Sequence, residues 1–146
     1  MLVSECLKRK NRDLITVGPE VKVPEAMKLL LTNRISCLPV VDDNRRLIGI
    51  LSDKDIFKRA YEDSQGFTGA CVRDLMTTDV IVGVPDDTLD YIGGVMTKNR
   101  IRHIPILDNR EVVGLISVGD IVSSQLTSFE IENRYLRLYI KDQYPG

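Results

Sequence analysis

The 146-residue sequence holds a single histidine, His103, and three cysteines, Cys6, Cys37 and Cys71, which stand far apart. No C-x-x-C pair is present, so thiolate metal ligation and dithiol exchange lack a local couple, and the cysteines read as small core or surface residues. One histidine leaves a metal site or a Cys/His catalytic pair with too few groups. No phosphate-binding glycine loop and no nucleophile-base pair is recognisable, so an enzyme is not expected. Charge of one sign is lacking too. Twenty basic residues face twenty-one acidic ones, a net charge of −1, which creates no field for nucleic acid or anionic membrane, and neither is expected as a partner. No apolar run approaches the ~18 residues of a membrane span. The start, Met1 to Cys6, has neither the basic flank nor the apolar run of a signal peptide, so a cytoplasmic location is expected.

What is present is an ordinary globular composition, 43% apolar and 28% charged, in a chain long enough for one domain or two small units sharing a core. Its strongest feature is an internal repeat. Arg34-Ile35-Ser36-Cys37-Leu38-Pro39-Val40-Val41-Asp42 aligns with Arg100-Ile101-Arg102-His103-Ile104-Pro105-Ile106-Leu107-Asp108. Upstream, Ile15, Pro19 and Asn33 meet Ile81, Pro85 and Asn99. Downstream, after a one-residue slip, Gly49, Ser52, Asp55 and Ile56 meet Gly114, Ser117, Asp120 and Ile121. The organisation read from this is a first repeat over 1–60, a linker over 61–70, a second repeat over 71–126, and a C-terminal helix and tail over 127–146.

Each copy reads as β-α-β-β-α. A short apolar strand (Leu14 to Val17; Val80 to Val84) leads past a proline into a helix (Pro24 to Asn33; Thr88 to Asn99). Pro24 suits a first turn, Thr88 an N-cap, and both asparagines a helix stop. A hairpin follows, Cys37 to Val41 with Leu47 to Leu51, and His103 to Leu107 with Val112 to Ile116. The closing helices start at Asp53 and Val118. The expected fold class is α/β (α+β), with two pseudo-twofold-related repeats covering each other's sheets. Gly93-Gly94 inside a helix is costly by about 1 kcal/mol per glycine, which suggests a close backbone neighbour there.

The repeat, the Arg-His-Ile-Pro-Ile-Leu-Asp run and the strings Gly-Ile-Leu-Ser-Asp-Lys-Asp and Gly-Leu-Ile-Ser-Val-Gly-Asp resemble a tandem pair of CBS domains, over roughly Met1 to Leu126. The resemblance implies a cleft between the repeats with two related sites. Its usual ligands would be AMP, ADP or ATP, with S-adenosylmethionine or NAD-type ligands in some members. It also implies association of two modules through their helices, hence a homodimer, and a separate regulated protein, since no catalytic or transport domain is seen in this chain.

Each Ser-x-x-Asp string, Ser52 to Asp55 and Ser117 to Asp120, falls where a strand gives way to a helix, and two explanations stand side by side. A capping box needs no ligand. An aspartate at a helix N-terminus can also accept from both hydroxyls of a ribose, with the serine and free N–H groups facing phosphate. The copies differ just before the strand proline, where Ser36-Cys37 stands against Arg102-His103. Positions matching Arg102 and His103 lie near ligand phosphates in the family. The Asp120 site is therefore expected to favour phosphorylated ligands, and the Asp55 site to prefer a nucleoside, take phosphate help from Lys54 or the other repeat, or stay empty. Matching positions for an adenine slot are Ile15, Thr16 and Leu38 in the first copy and Ile81, Val82 and Ile104 in the second. In the tail, Leu126, Phe129, Asn133, Leu136 and Ile140 form a two-heptad seam that suits packing in cis or across a dimer.

Overall fold

A computed structural model describes residues 1–126, so the tail seam beyond Leu126 lies outside the described residues. In chain order the elements are α1 (Val3–Lys10), α2 (Val23–Asn33), β1 (Cys37–Val41), β2 (Leu47–Ser52), α3 (Asp53–Glu62), a 3-10 turn (Phe67–Gly69), α4 (Val72–Leu75), α5 (Leu89–Asn99), β3 (His103–Asp108), β4 (Glu111–Ser117) and α6 (Val118–Leu126).

The two halves are built alike. β1 pairs antiparallel with β2 and β3 with β4, and each hairpin carries a bulge at the same place, between Val40 and Val41 and between Ile106 and Leu107. Each expected first strand contracts to one parallel bridge, Val17 to Val40 and Gly83 to Ile106. Val17 donates to Pro39 O at 3.0 Å and accepts from Val41 N–H at 3.0 Å. Gly18-Pro19 then turns the chain away, because proline has no N–H with which to extend a ladder. Pro85, two residues past Gly83, ends the second one in the same way.

The helices begin close to where expected. Thr88 caps α5, its Oγ1 accepting from the Tyr91 N–H at 3.1 Å. The stops differ by one residue: Arg34 and Arg100 take the left-handed conformation, with φ of 54° and 55°. Asn33 and Asn99 act from within the last turn, each side-chain amide donating to the carbonyl four residues back, Leu29 O and Val95 O. Gly93 faces a side chain rather than a backbone, since a Cβ there would meet Ile121 Cγ2 of α6 at 3.3 Å, and Gly94 faces open space.

Two apolar clusters make the core, and they cross the boundary between the copies. The first joins Val17, Val23, Leu30, Leu38, Val40, Leu51 and Ile56 with Val72 of α4. The second joins Leu89, Ile92, Met96, Ile104, Ile106 and Ile116 with Val3 and Cys6 of α1. Each half thus inserts a short helix into the other's core. The bridges Leu2 to Thr88 and Lys22 to Cys71 are the matching main-chain clasps. The glycine in each hairpin's second strand makes room for the incoming chain. A Cβ on Gly114 would lie 2.5 Å from Leu7 Cδ2, and one on Gly49 would lie 2.7 Å from Met76 Sδ.

Candidate functional site

Both Ser-x-x-Asp strings fold as complete capping boxes. Ser52 Oγ accepts from the Asp55 N–H at 3.1 Å, and the Ser52 N–H donates to Asp55 Oδ2 at 2.9 Å. Ser117 N–H and its hydroxyl donate to Asp120 Oδ2 at 2.8 and 3.0 Å, and the Asp120 N–H returns to Ser117 Oγ at 3.2 Å. These bonds satisfy N–H groups that a helix start leaves orphaned. They do not require a ligand.

A cleft of about 350 Å³ opens between the halves, lined by Ser36, Cys37, Ile50, Ser52 to Asp55, Thr77, Asp79 to Ile81 and Arg100 to His103. It unites Asp55 of the first copy with Ile81, Arg102 and His103 of the second. The sequence reading set Arg102 and His103 beside Asp120 instead. The reason for the difference is topological. Arg102 serves its own half through its backbone, its carbonyl accepting from the Val118 N–H of α6 at 3.0 Å, while the residue lines the cleft on the Asp55 side. Ser36 O does the same for the Asp53 N–H of α3 at 2.9 Å.

Cleft charge is balanced, with carboxylates at Asp53, Asp55 and Asp79 and cations at Lys54, Arg100 and Arg102. Ser36 Oγ lies 3.4 Å from His103 Nε2. Burial lowers the imidazole pKa from its usual 6.5, reinforced by Arg102 and Lys10 and opposed by Asp53 and Asp120. Cys37 is deeply buried, and burial, with Asp55 and Asp53 nearby, pushes its thiol up to about 12. It is therefore not a nucleophile at neutral pH.

Asp120 occupies a different setting. Lys10 Nζ donates to Asp120 Oδ2 at 2.9 Å and to Leu115 O at 2.7 Å. The cavity related to the open cleft by the pseudo-twofold holds only about 130 Å³ and includes Lys10, Leu14, Ile15, Ile35, Cys37 and Leu115. Of the expected adenine positions, Ile81 lines the open cleft and Ile15 the smaller cavity. Leu38 and Ile104 are wholly buried in the core, Val82 is exposed and Thr16 half-buried, and none of these four lines either cavity.

Sequence reasoning did not single out Thr77, Asp79, Arg100 or Lys10. A signal for the segments holding Thr77 and Lys10 exists in Val3-Ser-Glu-Cys-Leu7 against Val72-Arg-Asp-Leu-Met76, the same pattern at a register three residues off the main repeat. No group of His, Cys, Asp and Glu among the described residues is arranged to hold a metal ion, and no described helix is long and apolar enough to cross a membrane.

The family model for the CBS domain matches residues 3–62 and 72–126. The chain belongs to the CBS-domain family. Its two matches in tandem make it a CBS pair, and proteins of that kind are regulatory. This CBS pair is 32% identical over 114 residues to the CBS domain-containing protein YhcV of Bacillus subtilis, covering 77% of this chain and 79% of that protein. It is 36% identical over 112 residues to an inosine-5'-monophosphate dehydrogenase of Methanocaldococcus jannaschii, covering 76% of this chain. It spans only 21% of that dehydrogenase's length. Among solved structures it is similar to a CBS-domain protein from Agrobacterium tumefaciens, with a TM-score of 0.80 and 32% identity, covering 86% of this chain and 99% of that one. The CBS domain pair of protein MJ0100, in complex with 5-methylthioadenosine and S-adenosyl-L-methionine, aligns with a TM-score of 0.75 and 30% identity, covering 86% and 95%. CBSX2 in complex with AMP aligns with a TM-score of 0.74 and 28% identity, covering 86% and 96%.

Proposed function

We propose that the cleft holding Asp55 binds an adenosine nucleotide, AMP, ADP or ATP, and that the chain passes the resulting change to a separate protein. The observation that carries this reading is the convergence of a helix-capping carboxylate, Asp55, with Arg100, Arg102 and His103 from the other repeat in one cleft. Asp55 Oδ1 takes only the long 3.3 Å bond from Thr77 Oγ1 among the described hydrogen bonds, so it can accept from a ribose hydroxyl without dismantling the box. Ile50 and Ile81 offer apolar surface for a base. The guanidinium groups, Lys54 and the start of α3 suit phosphate oxygens. The bound AMP of CBSX2 and the adenosine-derived ligands of MJ0100 support the ligand class.

Because ligand contacts come from both repeats, binding favours one relative placement of the two halves, which is the change a partner can read. Exposed Leu31, Phe57, Tyr61 and Tyr91 on the helices provide apolar surface for a homodimer. Calorimetric titration with AMP, ADP, ATP, S-adenosylmethionine and NAD is the test, repeated on Asp55→Ala and Arg102→Ala. Adenosine nucleotides should bind, with loss of binding in both variants. No heat with any of the five, or unchanged binding in Asp55→Ala, would overturn the reading.

A second reading, a constitutive scaffold, is favoured by one observation: both Ser-x-x-Asp boxes are complete without a ligand. It predicts partner capture that is indifferent to nucleotide.

A further inference from the structure

The two halves close a matching carbonyl and carboxylate with different chemistry. In the first half α4 stops at Leu75, and the chain runs on extended beside β2. Thr77 and Ile50 exchange two main-chain hydrogen bonds at 2.9 Å, and Thr77 Oγ1 reaches Asp55 Oδ1. In the second half the equivalent segment is α1, which continues as helix through eight residues to Lys10. There the Lys10 ammonium takes Leu115 O and, on the aspartate, the capping-box oxygen Asp120 Oδ2, where Thr77 takes the oxygen outside the box. Leu115 aligns with Ile50 and Asp120 with Asp55, so Lys10 stands where Thr77 stands.

The substitution of parts has consequences for binding. Thr77 is short and neutral and leaves a cleft of about 350 Å³. Lys10 is long and charged, lines the related cavity, and leaves about 130 Å³. Asp120 Oδ2 already accepts from the Ser117 N–H, the Ser117 hydroxyl and Lys10. Asp120 does not line that cavity, whereas Lys10 lines both it and the pocket that holds Asp120. A ribose in the cavity therefore reaches Asp120 only past the ammonium, whose side chain is 26% exposed against 16% for the carboxylate.

We propose that Lys10 is a built-in plug of the second cleft, so that each chain takes one nucleotide, and that the same cleft becomes a second site once Lys10 is removed. This inference rests on the nucleotide reading of the first cleft.

The experiment is titration of the parent protein, Lys10→Ala and Lys10→Met with AMP. The parent should take one equivalent per chain and Lys10→Ala two. Lys10→Met keeps the stem for packing but frees it from both acceptors, and should also admit a second equivalent. Adding Asp120→Ala to Lys10→Ala should return the count to one. Two equivalents in the parent, or one in both Lys10 variants, would overturn the proposal. An independent readout needs no nucleotide. A crystal structure of Lys10→Ala should show the second cavity enlarged toward the size of the first, and an unchanged cavity would also overturn it. Absence of AMP binding by the parent would count against the nucleotide reading, leaving the crystal structure to decide the role of Lys10.

Discussion

Ser36 Oγ and His103 Nε2 meet at 3.4 Å, joining the first repeat to the second at the wall of the open cleft. The distance is at the limit of a hydrogen bond, so it positions the ring without holding a charge on it. Burial lowers the His103 pKa from 6.5 in the folded protein. Between that lowered value and 6.5 the unfolded chain binds more protons, so stability falls as pH drops below 6.5. A phosphate in the cleft reverses the shift by favouring the imidazolium. Nucleotide binding at pH 6 should therefore take up more protons in the parent than in His103→Asn, because the phosphate of the ligand titrates near that pH in both and only the imidazole differs. Calorimetry in two buffers of different ionisation heat measures the difference. The single histidine of the sequence makes its proton resonances a direct check on the direction of the shift.

Cys37 gives the opposite pH behaviour at the alkaline end. Its thiol is held up to about 12 against 9.0 in an open chain. The folded protein keeps this proton while the unfolded chain loses it, so stability is undiminished below pH 9 and declines between pH 9 and 12. Urea unfolding at stepped pH should show a steeper alkaline loss for the parent than for Cys37→Ala. Parallel curves would refute the assignment.

Val3 belongs to the first copy by sequence and to the second copy's core by packing. It is wholly buried. Val3→Ala should cost about 2 kcal/mol, the transfer term plus the cavity left behind. The informative measurement is amide exchange. Protection should fall in β3 and β4 more than in β1 and β2, whereas Val72→Ala should show the reverse.

Gly49 and Gly114 lie where the exchanged segments cross the hairpins. A methyl group on Gly49 would press on Met76 Sδ at 2.7 Å and on the Thr77 carbonyl oxygen at 3.0 Å. The methionine can swing, but the carbonyl belongs to the main-chain pair with Ile50. Gly49→Ala should therefore destabilise by about 1–3 kcal/mol, the usual cost of overpacking. Thermal unfolding of this variant unchanged from the parent would show that the segment is loosely held.

Much of the fold was legible because local chemistry and tertiary packing agree. The duplicated hairpins with their prolines, the Thr88 cap and the starts of α3 and α6 could be read from repeated residues. So could the capping boxes, since Ser-x-x-Asp acts over one helical turn. The first strands were overestimated, because apolar residues at Leu14 to Val17 and Val80 to Val84 give the pattern of a strand. The proline turn that follows allows a single bridge in each.

What the sequence alone determined is the duplicated unit, its family and the residue types available to a ligand. Which of those residues share a cleft was decided only by the tertiary structure. Sequence proximity and repeat membership both put Arg102 with Asp120, because each is a within-copy relationship. Packing two copies about a pseudo-twofold instead sets Arg102 and His103 in one cleft with Asp55. The extra helical length of α1 then delivers Lys10 to Asp120, an ion pair across 110 residues of chain. No local pattern encodes that contact, since it depends on where one half's helix ends against the other half's strand.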